Sequence, residues 1–145
     1  MTAQRSRIAA LALMEKIGRY EMVEEAKRLG ELRQMSSALR KDSDALQAKL
    51  VNETSDVPLE AQPYLSGFIR SVRSEAADCL DRAGKIDAEA EGLEERVLEA
   101  FRNLKTVQIA LERTRHEALL AKRAAEDAKT DDLNSFAYGT HRRRG

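Results

Sequence analysis

Tryptophan is absent from the 145 residues, cysteine occurs once, proline twice, and Phe and Tyr only three times each. With 34% of the chain charged, so few large side chains argue against one compact aromatic-rich core. The lone Cys79 excludes a disulfide framework and a CxxC site, and suits a reducing cytosol. Net charge is also absent, at +0, so nothing marks a nucleic-acid or acidic-membrane binder. Long apolar runs are missing too. The longest, Ile8 to Met14, falls far short of the ~20 residues of a membrane span. Glu15 and Lys16 follow it at once, against a secretory signal, whereas Arg5, Arg7 and Arg19 leave a cleaved transit peptide open.

The chain has no GxGxxG, P-loop, GxSxG or HExxH motif. Glu112 and His116 stand one helical turn apart, but two ligands without a third do not make a metal site. The carboxylates Asp87, Glu89, Glu91, Glu94, Glu95 and Glu99 fall outside the apolar pattern, with no pocket to raise a pKa for acid or base work. No catalytic residue, cofactor or metal ligand is assigned, and the chain reads as a non-enzyme.

What is present is periodicity. From Ile69 to Ala128, steps of three and four residues give Ile69, Val72, Ala76, Cys79, Ala83, Ile86, Ala90, Leu93, Val97, Ala100, Leu104, Val107, Leu111, Thr114, Ala118, Ala121, Ala125 and Ala128. Only Thr114 is polar. Held for about eight heptads without proline, this repeat predicts a coiled-coil strand of roughly 90 Å. Its many Ala positions allow close approach of a partner helix but remove little apolar area from water.

A second strand is predicted over about residues 2–52. Ile8, Leu11, Met22, Leu29, Leu32, Leu39, Leu46 and Leu50 share one heptad frame, in which Glu15, Gly18, Glu25, Ser36 and Ser43 are the weak places. Glu15 with Arg19 and Glu24 with Arg28 are candidate pairs along that helix. Between the strands, residues 53–62 carry polar cap candidates at Thr54, Ser55 and Asp56 with Pro58 inside the turn, and Pro63 falls in the first turn of the second helix.

The predicted fold is therefore all-α: a single domain, 1–145, forming a long two-helix antiparallel coiled-coil hairpin whose second helix, about 63–130, outlasts the first. With the reversal near Ser55, residue i faces roughly residue 110 minus i, so Ile8 lies near Ala100 to Leu104 and everything beyond about Leu111 overhangs. An Ala-rich arm without tertiary packing frays or meets a partner. Gly18, Gly30, Gly67, Gly84 and Gly92 each weaken the helices by about 1 kcal/mol relative to Ala. After Thr130 the helix signal fades. Leu133, Phe136, Ala137 and Tyr138 could add one turn before Gly139 ends it, leaving His141 and Arg142 to Arg144 in a basic tail, 131–145.

Three stretches carry a resemblance to a known family. YLSGFIRSV, with Tyr64, Leu65, Phe68, Ile69 and Val72, opens the second helix. AFRNLKTVQIALERTRHE spans Ala100 to Glu117. AEDAKTDDLNSFAYGTHRRR places Asp132, Leu133, Phe136 and Ala137 before a basic tail. Together with the proline-containing turn after about fifty residues, they resemble the FliJ family of flagellar type III export proteins, with the YscO family of virulence systems as its counterpart. Asn134, Ser135, Tyr138 and Gly139 depart from the family's closing pattern.

The resemblance implies a cytoplasmic stalk, peripheral to the inner membrane through its partners and serving motility. Its terminal end would insert into a hexameric export ATPase ring, with Arg5, Arg7, Ala118, Ala121, Ala125, Ala128, Leu133 and Phe136 as the contact residues. Tyr64, Phe68 and Val72 would face the export gate, a membrane protein, and the stalk would escort export chaperones. Two rival readings are a structural coiled coil that homodimerises through the Ala-rich arms and a mitochondrial assembly factor.

Overall fold

The computed structural model describes the backbone of residues 2–144 and the side chains of residues 3–139. Two long helices make up nearly all of it: α1, Thr2–Thr54, and α2, Gln62–Arg144, joined through a 3-10 turn at Leu59–Ala61. There is no strand among the described residues. None of their helices is long and apolar enough to cross a membrane. The fold is all-α, as the uninterrupted run of good helix formers requires.

α1 ends where the turn begins. The Thr54 hydroxyl donates back to the Leu50 carbonyl, and the Ser55 hydroxyl to that of Asn52 (3.0 Å), one of the last carbonyls that the helix leaves without an N–H. Of the three cap candidates, Thr54 and Ser55 thus bond to carbonyls at the end of α1. Pro58 then turns the chain in extended conformation, and the Ala61 N–H donates to its carbonyl at 3.0 Å. Pro63 is the second residue of α2, where a missing N–H costs nothing.

Contacts divide the chain into two units, Met1–Tyr20 with Phe101–Gly145, and Glu21–Ala100. In the second, the predicted heptad frame is the buried one. Leu32, Ala90 and Leu93 form its apolar centre, with Leu29 and Ile86 packed against them. Val72, Ala76 and Ala83 are buried further along α2, and Ser36 and Ser43 on α1. The polar members of the frame fare differently. Ser36 donates to Asp87 on α2, whereas Ser43 Oγ and Glu25 Oε2 are buried with no hydrogen-bond partner.

Ion pairs flank this unit. Arg33 reaches Glu94 at 2.7 Å, Arg28 reaches Glu89 at 3.4 Å, and Arg40 pairs with Asp87. Arg28 therefore crosses to α2 instead of taking Glu24, its expected neighbour along α1. The half-exposed pairs contribute ~0.2–1 kcal/mol at most, so their value lies in fixing register.

In the first unit Leu104, Leu111 and Thr114 of α2 are buried, and Ile8, Leu11 and Gly18 of α1 are half-buried. Thr114 meets its polar requirement within the helix, donating to the Ala110 carbonyl at 2.8 Å. Leu104 Cδ1 lies 3.5 Å from where a Cβ on Gly18 would stand, so the leucine fills the space the glycine leaves.

These contacts correct the expected register. Gly18 meets Leu104, and Ser36 meets Asp87, so residue i faces roughly residue 122 minus i within each unit. In the Glu21–Ala100 unit the displacement arises because α1 continues to Thr54 and the 3-10 turn lengthens the connection, moving the reversal from Ser55 to near Ala61. Ile8 accordingly shares a groove with Ala118 rather than Ala100 to Leu104. Leu111, expected at the edge of the overhang, is buried.

A second correction concerns the C-terminal segment. α2 runs on through residues 131–144 instead of giving way to a tail. Nothing between Thr130 and Tyr138 breaks a helix, and Gly139 does not adopt the positive φ of a C-cap. The side chains of His141 and Arg142 to Arg144 lie outside the described residues.

Candidate partner-binding surfaces

An α-helix repeating every 3.6 residues keeps one stripe against its neighbour and turns the rest to water. The stripe of α2 is buried or half-buried through Ala118, and every described side chain from Leu119 to Gly139 is exposed. The 3,4 spacing nevertheless continues. Ala121, Ala125 and Ala128 extend it, all exposed, and Leu133 and Phe136 are exposed beyond them.

Where this exposed stripe begins, Arg5 and Ile8 of α1 border an open groove of about 650 Å³ together with Ala118, Ala121 and Ala125. Lys122 and Lys129 stand on its margin beside Glu126, so cations outnumber carboxylates there. Arg7, two residues from Arg5 and so on another face of α1, is exposed but does not line the groove. The structure thus gathers Arg5, Ala118, Ala121 and Ala125 from the predicted contact set. Ala128, Leu133 and Phe136 follow on the same helix, outside that groove.

The predicted gate-facing residues separate into two kinds. Tyr64 is exposed and Phe68 half-buried near the start of α2, whereas Val72 is buried in the stripe, 6% exposed. Val72 also walls a small apolar groove with Leu50, Ala76 and Leu80. Contact from this patch would fall to Tyr64 and Phe68.

No group of three or more His, Cys, Asp or Glu side chains able to hold a metal is gathered among the described residues. Asp87 is held below its ordinary 3.8, first by the hydrogen bond from Ser36 and then by Arg40. That shift belongs to a helix-to-helix contact and not to a cleft, so its natural role is structural. Sequence reasoning missed this node, although Arg33, Arg40, Asp87 and Glu94 all follow directly after frame positions, where coiled coils place interhelical pairs.

No protein-family model, curated protein or solved structure matches this chain.

Proposed function

We propose that the chain is an antiparallel coiled-coil hairpin acting as a stalk of the flagellar type III export apparatus, inserting its terminal end into a hexameric export ATPase. The reading is supported above all by one observation. The packed stripe of α2 stops at Ala118 while its apolar spacing continues, exposed, through Ala121 and Ala125 to Ala128, with the exposed Leu133 beyond it. A helix apolar along one face beyond its intramolecular neighbour is suited to a second neighbour.

Within the Glu21–Ala100 unit, partner numbers on α2 fall as those on α1 rise, from Leu32 with Leu93 to Leu50 with Val72, which supports an antiparallel pair. Resemblance to the FliJ family supplies the partners: the ATPase at the Ala stripe with Arg5 and Arg7, the cytoplasmic part of the export gate at Tyr64 and Phe68, and export chaperones. On this account the chain performs no chemistry. It acts by surface, in the cytoplasm, and meets the membrane only through its partners.

The test is ATP hydrolysis by the export ATPase of the same organism, with and without this chain. The Ala121→Glu/Ala125→Glu double variant and a chain ended after Lys129 serve as comparisons. Stimulation by the intact chain, lost in the double variant and reduced by the truncation, is the expected result. Absence of both stimulation and complex formation at about 10 μM, a concentration that detects a micromolar Kd, sinks the proposal.

A further inference from the structure

The first twenty residues of α1 carry a second apolar stripe, opposite the one that packs on α2. Ala10, Leu13, Ile17 and Tyr20 recur at three- and four-residue steps between the packing positions, with Ser6 and Ala3 before them on the same face. Leu13 is 59% exposed, Ile17 49% and Tyr20 68%, and Met14 beside them 52%. Continued at the same spacing, this face becomes Glu24, Lys27, Glu31 and Gln34, so apolarity is special to the start of the helix. A helix apolar on both faces is ordinarily covered on both.

We propose that this outer stripe is the contact through which two copies of the chain pair, antiparallel, across a two-fold axis near Glu15. An isologous contact must be complementary to its own image, and this one is. With residue i opposite roughly residue 30 minus i of the other copy, Leu13 meets Ile17 and the small Ala10 meets the large Tyr20, each twice. Along one border Met14 meets its own image, and Arg7 stands opposite Glu21 of the second copy, again twice. Along the other border Lys16 approaches its image, one like-charge contact against two opposite ones, and its long stem carries the ammonium out to solvent. Arg19 is already engaged by Glu15 at 2.6 Å within each copy and makes no demand on the contact.

Four large side chains per copy, each removing about 100 Å² from water, give roughly 800 Å² in all, below the ~1,200 Å² of stable interfaces and in the range of weak, transient ones. The pairing is accordingly weak and reversible, and the chain is a monomer when dilute. It uses α1 rather than the exposed end of α2, and does not rest on the stalk reading.

Sedimentation velocity of the full chain between about 5 and 500 μM, the range that brackets a weak contact, tests it. The expected result is a twofold rise in mass from 16.2 kDa with concentration. Leu13→Glu with Ile17→Glu, both at exposed positions, should abolish the rise while the helical circular dichroism stays unchanged. Arg7→Glu should weaken pairing, and adding Glu21→Arg should restore it, a rescue that a merely structural effect would not give. Met14→Cys should yield a disulfide dimer on mild oxidation, and Val51→Cys should not. A chain monomeric at every concentration overturns the proposal. So does a dimer that survives the Leu13/Ile17 variant, or one dissolved instead by Ala121→Glu/Ala125→Glu.

Discussion

Ser36 and Ser43 occupy equivalent positions in the α1 frame, one heptad apart, and both are buried, yet replacing them by alanine should move stability in opposite directions. Ser36 donates to Asp87, whereas Ser43 is 0% exposed and its Oγ has no partner. A buried hydroxyl without a partner carries a desolvation cost of ~1–3 kcal/mol. Alanine removes that cost, and it is also the better helix former by a few tenths of a kcal/mol. The volume lost is one oxygen, in a region already built of small residues such as Ala76 and Ala83. Ser43→Ala should therefore stabilise the chain by about 1–2 kcal/mol, raising Tm by roughly 3–6 °C for a chain of this size. Ser36→Ala should lower Tm, since it strands Asp87 with one donor fewer. The assay is thermal unfolding followed at 222 nm, repeated at several protein concentrations so that self-association does not enter the comparison. A lower Tm for Ser43→Ala would refute the reasoning, because it would mean that the hydroxyl is bonded after all.

Glu25 is the other orphan in the frame, and Glu25→Leu should stabilise by about 2 kcal/mol, apolar burial adding to the relief of a buried carboxylate oxygen; urea unfolding measures it. Leu111→Ala should cost about 3 kcal/mol because Leu111 is 2% exposed, whereas Leu133→Ala should change stability by less than about 0.5 kcal/mol. Equal effects in urea would restore the shorter register. Gly30→Ala and Gly84→Ala meet open space at the new Cβ and should each add about 1 kcal/mol, read from Tm. Asp87 is held low by Ser36 and Arg40, so its contribution is fully present above the ordinary carboxylate value of 3.8 and is lost as pH falls below it through the folded-state value. In Ser36→Ala that loss should begin at higher pH, and titration of the Asp87 carboxyl carbon by NMR checks it.

The packing stripe was legible because its physics is local. A side chain's place on a helix follows from its number, and with no proline between Gln4 and Val57 or beyond Pro63 the count is never reset. Even the weak places were visible. Glu15, Gly18, Glu25, Ser36 and Ser43 fall in the frame on paper, and each is buried or half-buried in the folded chain. Which partner each would find was not visible. Arg28 might have paired with Glu24 along its own helix, and only the neighbouring helix brings Glu89 within 3.4 Å. The second apolar face of α1 was likewise written in Ala10, Leu13, Ile17 and Tyr20, but it reads as unused only once Ile8 and Leu11 are seen to pack the other way.

The sequence by itself determined that the chain is helical, where it turns, and which face of each helix is apolar, because propensity, proline and period act within a few residues. The register was decided by tertiary structure. A turn of seven residues, Ser55 to Ala61, can bring two helices together in several alignments that all match apolar stripe to apolar stripe. Repetition makes such alignments nearly equal in buried area, so the choice falls to contacts that do not repeat: Ser36 and Arg40 on Asp87, Arg33 on Glu94, and Leu104 over the gap at Gly18. Tertiary packing likewise sets where the buried stripe of α2 ends: its repeat runs on past Ala118, but the described side chains from Leu119 onward are exposed.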